Sequence, residues 1–559
     1  MLLTDELLLH YKRCQRRAFL DLYGDRQQQN PSPDFLLKLR QDSLTHKKEV
    51  LGTLEKRSPD PQAQESLLPS LSSPPITMTS VEKLDLSLGK IGALSSFLKM
   101  STAKINSPDY PREDWEAGAK ATIKLMEQGR DCIAQPVLLV HNDEGVTLLS
   151  SPDLLIKQPG HSKFGDWMYI PLDIKFGRRP KADYQIISAF HCQVLAAIQE
   201  VWPNTAWLIL RRQSAYAVTL DRWLPVMVEV LGDCIETMQS RQEPEVFISR
   251  QKCDLCHWYN SCYAIAQSQQ HISLLPGVSP KRYRELQELE IGTIELLAQT
   301  QISILEPIFG AEIACDLVQQ AQATIQNRAI LRQHYHTLSP SPPLQNGSST
   351  GSVLEFANGK MPHLFKSRDI LPSASVELFF DIEAQPELNL DYLLGILVID
   401  HSTQSQRFHP LLAEYPHNEA SIWEQFLELV WLYPDAPIFH FSAYEAETVK
   451  RLAKLYHTPL SRLKPLLSRF VDVHQRVMST VLLPVESYSL KHLARWLGFE
   501  WRDATITGSQ CVLLYDQWLA TGDRSLLDRI QSYNEDDCRA TYHLKNWLST
   551  FLQQQYSSL

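Results

Sequence analysis

Cys253-Asp-Leu-Cys256-His-Trp-Tyr-Asn-Ser-Cys262 is a C-x2-C-x5-C cluster near the middle of a 559-residue chain, and the domain plan follows from it. The first thirty residues carry no basic n-region, apolar core and small-residue cleavage site. Three cysteines this close in such a chain point to metal ligation rather than a disulfide framework. A four-ligand site needs one more thiolate. Cys14, in Tyr11-Lys-Arg-Cys14-Gln-Arg-Arg-Ala-Phe19, supplies it from far upstream. With Cys14 as the fourth ligand, everything up to Cys262 is clamped into one domain.

The length suggests roughly three to four domains. An apolar content of 44% and a charged content of 21% are those of a globular protein, not a disordered one. The net charge of −10 argues against a histone-like coating of nucleic acid but permits local basic grooves. Lys12-Arg13, Arg16-Arg17, Arg178-Arg179-Pro-Lys181 and Lys281-Arg282-Tyr-Arg284 could line them, or could be ordinary solvated faces. No run of 18 apolar residues occurs, so no membrane span is expected. Ten cysteines without a signal peptide fit a reducing compartment, and a cytoplasmic location is the expectation.

Ahead of the cluster the pattern is α/β. Residues 4–23 read as one amphipathic helix carrying Cys14, and Asp34–Glu55 as a second carrying His46. Arg57–Ser80, rich in Pro, Ser and Gln, reads as a mobile insertion. Trp115–Gly129 is helical. Ala134–Ile156 alternates like a strand pair around Asn142-Asp-Glu-Gly145, Trp167–Phe176 reads as a strand, and Tyr184–Val201 as a helix. Asp153, in Ser151-Pro-Asp153, and Asp173, in Pro171-Leu-Asp173-Ile-Lys175, end apolar strands. Their oxygens suit a hard cation such as Mg²⁺ or Mn²⁺. Lys175 shares the strand face of Asp173 and could orient a water or neutralise phosphate.

With His46 upstream, the following helix and the four cysteines, this set resembles the RecB-like PD-(D/E)xK nucleases of the iron–sulfur branch, over about residues 1–270. The resemblance implies a restriction-endonuclease-like core, His46 as a metal ligand, and a 4Fe–4S cluster on Cys14, Cys253, Cys256 and Cys262, with zinc as the alternative. The family's Gln-x-x-x-Tyr would fall near Ile187 and His191, which do not match it; Gln185 is out of register.

Residues 271–335 follow. Leu274-Leu-Pro-Gly277 through Gly292 and Ala298 resembles the helix-hairpin-helix pattern, whose backbone N–H groups meet phosphates; a plain helical linker is the alternative. Residues 336–370, with Asn346-Gly-Ser-Ser-Thr-Gly351, read as a linker.

In residues 371–559, Val376-Glu-Leu-Phe-Phe-Asp381-Ile-Glu383 is an apolar strand with two acids on one side. Ser532-Tyr533-Asn-Glu-Asp-Asp537 is placed at a helix start, with Tyr533 and Asp537 on one face and Asp536 as a solvated residue or helix cap. Ile438-Phe-His-Phe-Ser-Ala-Tyr444-Glu445 runs from strand to helix and offers Glu445 as the remaining acid. The series resembles the DEDDy-type 3′–5′ exonucleases of the ribonuclease H-like fold, with Phe470-Val-Asp472-Val and Ser487-Tyr-Ser-Leu-Lys491 through Gly498 as supporting matches. Glu445 departs from the Asp usual there. The resemblance implies a mixed sheet with helices, two divalent ions about 3.5–4 Å apart, and Tyr533 positioning the attacking water.

The full order resembles the RecB-like nuclease family of bacteria and archaea. It implies a multidomain α/β metal-dependent nuclease with two active sites, acting on DNA more than RNA, at single strands or ends. The alternatives are a nucleic-acid-binding scaffold with one or both centres inactive, and an RNA exonuclease.

Overall fold

The computed structural model describes residues 1–56, 105–142, 145–211, 214–332 and 371–557. The Arg57–Ser80 insertion and the 336–370 linker lie outside the described residues. The chain forms two compact units, Met1–Val246 with Arg250–Cys262, and Phe247–Ser249 with Tyr263–Leu559.

The first unit is built on a six-stranded mixed sheet ordered Ile105–Asn106, Cys132–Ala134, Leu154–Ser162, Gly165–Lys175, Ala206–Leu210, Ser214–Val218. Leu154–Ser162 and Gly165–Lys175 form an antiparallel hairpin. The chain then crosses over through the helix Ala182–Gln199 to the parallel strand Ala206–Leu210. Alternation along Gly165–Lys175 decides the layers. Ile170, Leu172 and Ile174 pack with Val50 of the helix Asp34–Lys56, whereas Tyr169 packs with Ile186, Phe190 and Leu195 of the crossover helix. Asp173 and Lys175 share the phase of Tyr169, and Asp173 meets the crossover helix through Ser188.

Two expected elements are divided. The helix expected over residues 4–23 is two, Asp5–Arg13 and Gln15–Tyr23. Cys14 between them is extended (φ −161°, ψ 112°), and its thiol caps the second helix by accepting the Arg17 N–H at 3.4 Å. The strand pair expected over Ala134–Ile156 is four short strands. Leu138–His141 and Thr147–Ser150 leave the main sheet and join Leu2–Thr4 in a separate three-stranded one. Pro136 and Pro152, which cannot donate to a ladder, fall at the two breaks.

The second unit begins with a helical module. Pro280–Gln287 and Ile294–Gln299 start at side-chain caps from Ser279 and Thr293, and Ile302–Phe309 and Ala311–Gln326 follow. Gly277, with φ +87°, turns the chain into the first of these. Strand Ile330–Leu331 pairs with Val481–Leu482 in a separate two-stranded sheet, and Gln320 donates to the Leu483 carbonyl at 2.7 Å, so the module is tied to the domain built on the C-terminal sheet.

That sheet has five strands ordered Ser405–Leu412, Leu390–Asp400, Val376–Gln385, Ile438–His440, Phe470–Asp472. The first three are antiparallel and the last two are added in parallel. Leu390–Asp400 is buried at every position but its last, because helices cover both faces. The helix Arg524–Ser557 lies across it. Tyr533 and Asp537 therefore sit well inside a 34-residue helix, not at its start as expected. Asp536 bonds Arg502 through its side chain (2.8 Å to Nε) instead of capping that helix.

Candidate metal centre and its acidic neighbours

Asp381 and Glu383 project from one side of the strand Val376–Gln385, and Asp537 faces them from the long helix. Ligand oxygens of the three lie within 4.8 Å of one another, the one such group among the described residues. Each carboxylate takes a neutral partner. Asn534 Nδ2 donates to Asp381 at 2.6 Å, Trp501 Nε1 donates to Asp537 at 2.7 Å, and Cys511 bonds Glu383.

Three acids packed in this way resist ionisation. Burial, then the charges of Asp537, Glu383 and Glu445, holds Asp381 well above the usual carboxylate range. Burial and Asp537 do the same to Glu383. Burial lifts Asp537 to about 7, against the bonds from Trp501 and Tyr533. Bound cations would remove this repulsion, so the donor set fits hard divalent ions.

Tyr533, one turn before Asp537, hydrogen-bonds to it, and burial followed by the nearby acids pushes its phenol pKa up. Lys491 Nζ lies 4.9 Å from the Tyr533 ring centroid and donates to the Ile506 carbonyl, which puts a cation beside the cluster. Glu445 opens the helix Tyr444–Leu455 and is buried. Its Oε2 takes Ser442 Oγ at 3.3 Å and lies 3.4 Å from His440 Nδ1, so it stands beside the three-acid group and not within it. Ser442 reaches Glu445 from a left-handed backbone, φ +113°, held by Asp472 Oδ1 accepting its N–H at 3.2 Å.

The first constellation is assembled differently. Asp153 and Asp173 do come to the same region, but their oxygens are taken by internal donors. Lys47 Nζ lies 2.5 Å from Asp153 Oδ1, and the Ile174 N–H is 2.6 Å from Oδ2. Asp173 Oδ1 takes Lys175 at 3.2 Å, while its Oδ2 faces Ser188 Oγ at 3.2 Å and His191 Nε2 at 3.4 Å. Burial opposes ionisation of Asp173, but Lys175 and His191 outweigh it and hold its pKa well below the usual range. His46 lies tilted against Phe176, ring centroids 5.9 Å apart, its buried Nε2 without a hydrogen bond, and it does not join Asp153 and Asp173 in a group of close ligand atoms.

Cys14, Cys256 and Cys262 lie within electrostatic reach of one another, and burial raises the thiol pKa of the latter two. Cys253 leads into the loop, its carbonyl accepting the Cys256 N–H at 2.8 Å. The four thiols are not drawn into a tight tetrahedron, since no three of the sulfurs lie within 4.8 Å. A zinc site with Zn–S of about 2.3 Å would require sulfurs about 3.8 Å apart. Asp21 braces the loop, bonding the Trp258 indole N–H at 2.8 Å, His257 Nε2 at 2.6 Å and His10 Nδ1 at 2.8 Å.

Four partners were not singled out from the sequence: Asn534, Trp501, Lys47 and Asp21. Gly395 was a legible signal for the first, a glycine interrupting the apolar strand Leu390–Ile399 where another backbone or side chain must come close.

The RNase_H_2 family model of the RNase_H superfamily matches residues 378–549, the segment that carries Asp381, Glu383, Glu445, Tyr533 and Asp537. The C-terminal part of the chain is thus an RNase H-like domain. No curated protein matches the chain. Among the described residues, no helix is long and apolar enough to cross a membrane.

Proposed function

We propose that the protein is a metal-dependent nuclease that hydrolyses phosphodiester bonds of DNA, at single strands or ends, with its working centre at Asp381, Glu383 and Asp537. The observation that carries this is three carboxylates gathered with neutral partners in an RNase H-like domain. Mg²⁺ or Mn²⁺ held there would lower the pKa of a water and stabilise the leaving oxygen. Asp381, Glu383 and Asp537 would hold the ions and Glu445 would complete the set. Tyr533 would orient the water, and Lys491 would offset the charge of the incoming phosphate.

Residues 1–270 form the second candidate centre in this reading, with Asp153, Asp173, Lys175 and His46 as its chemistry and Cys14, Cys253, Cys256 and Cys262 as ligands of an iron–sulfur cluster. The pairing of Lys47 with Asp153 favours a nucleic-acid-binding role for this centre over a catalytic one. Residues 271–335 would add phosphate contacts, and the protein would act in the cytoplasm.

The test is degradation of end-labelled single-stranded DNA, with RNA in parallel, under Mg²⁺ or Mn²⁺, by wild type, Lys175→Ala and Asp381→Ala. We expect Asp381→Ala to lose activity by about 10³-fold or more and Lys175→Ala to keep most of it. Loss confined to Lys175→Ala would reverse the roles. No wild-type cleavage of DNA or RNA would replace the nuclease with a scaffold, and cleavage of RNA alone would change the substrate.

A further inference from the structure

Asn534, next to Tyr533 on the long helix, is fully buried. Its Nδ2 donates to Asp381 Oδ2 at 2.6 Å, while its Oδ1 is buried without a hydrogen bond. Across the strand pair, Asp381 stands directly opposite Gly395. A Cβ on Gly395 would fall 1.6 Å from Asn534 Oδ1, a distance no neighbour could accommodate by small shifts. One turn further, the Cys538 thiol meets the Gly395 carbonyl at 3.6 Å, so the helix rests on this glycine.

A buried polar group that leaves half its capacity unused is retained for what its other half does. Here that half bonds a carboxylate of the cluster. We propose that Asn534 is a positioning residue for Asp381, and that Gly395 is the residue that admits it. The amide and the Ile382 N–H together fix the plane of the Asp381 carboxylate, so that it presents to Glu383 and Asp537 a ligand atom already in place. This inference rests on the reading of Asp381 as a metal ligand.

The experiment titrates the full-length protein with Mn²⁺, following free Mn²⁺ by electron paramagnetic resonance, and records melting of each variant. Asn534→Ala is expected to weaken Mn²⁺ binding about 10-fold or more, as loss of an outer hydrogen bond to a ligand does. Cys538→Ala, which loosens the same contact without touching Asp381, should lower the melting temperature and leave Mn²⁺ affinity within about twofold. Gly395→Ala should lose both. Adding Asn534→Ala to Gly395→Ala should restore melting, because the space is vacated, but not metal affinity. Wild-type binding of Mn²⁺ with an unchanged affinity in Asn534→Ala overturns the positioning role. A double variant that melts no higher than Gly395→Ala overturns the pairing. A wild type that binds no Mn²⁺ overturns the metal centre itself, and with it this role.

Discussion

The Lys47 ammonium sits 2.5 Å from Oδ1 of Asp153, one residue along the helix from His46. A cation is thus already supplied where a divalent ion would otherwise meet this carboxylate. Lys175 stands in the same relation to Asp173. The acids of the first constellation are balanced from within, whereas Asp381, Glu383 and Asp537 are not.

Lys47→Met should expose that difference. It leaves Asp153 accepting the Ile174 N–H and removes one positive charge from the neighbourhood of Asp173. Equilibrium dialysis against Mn²⁺ should then count one more weak ion per chain than in wild type. An unchanged count would mean that Lys47 does not keep a cation out. The same variant should cleave DNA at the wild-type rate, since the C-terminal acids are untouched.

The C-terminal centre makes stability depend on pH in an unusual direction. Asp537 ionises near 3.8 in an unfolded chain but only at about 7 in the folded one. Between those values the folded state holds the extra proton, so stability falls as pH rises. In EDTA the melting of the RNase H-like domain should therefore decline from about pH 4 to about pH 7, by at most about 1.4 kcal/mol per unit. Mg²⁺ added at pH 7 to 8 should recover it by replacing the proton with a cation. A flat profile with no metal response would contradict the crowding of these acids.

Trp501 donates to Asp537 across 36 residues of chain, and its bond favours the charged carboxylate. Trp501→Phe keeps most of the ring and removes the donor. Burial then acts on Asp537 with less opposition, and its pKa rises further. The acid limb of the pH–activity profile should move to higher pH, and activity well below neutral pH should fall about 10-fold if the pKa rises by one. Activity that falls equally at every pH would assign Trp501 to packing alone.

Spacing made the outline of the C-terminal centre legible. Asp381 and Glu383 alternate on one strand face, and Tyr533 and Asp537 repeat at one helical turn, so local periodicity determines how each pair points. What spacing could not carry was the partner of each acid. Trp501, Asn534 and Gly395 meet the cluster through a long helix laid over a sheet, a tertiary relation without a local pattern. Tyr533 was misplaced at a helix start because Ser532 and Asn534 resemble caps, while packing of Leu527, Ile530, Leu544 and Leu548 in the core extends the helix in both directions. Cys14 was read inside one helix because apolar spacing continues through it; the break there is a thiol cap, which composition does not mark.

Asp21 shows how the cysteine loop is held by residues other than its thiols. It joins the helix Gln15–Tyr23, which follows Cys14, to His257 and Trp258, which follow Cys256. Burial works to raise its pKa, but His10, Trp258 and His257 overcome it and hold the carboxyl well below the usual range. Its stabilisation is complete above the unfolded value of 3.8 and is lost as pH falls beneath it. Asp21→Ala strands one indole N–H and two imidazoles in a half-buried site, a loss of about 2–4 kcal/mol. Cys253→Ala should act on the same segment by releasing the loop. Hydrogen exchange should show both variants losing protection across residues 1–262 while the strand Val376–Gln385 and the helix Arg524–Ser557 keep theirs. Equal losses in the two regions would mean that neither the aspartate nor the cysteines act as a local brace. Iron content measured on the same samples separates the causes: Cys253→Ala should lose bound metal outright, whereas Asp21→Ala should retain it at low temperature and release it on warming, as a weakened support would.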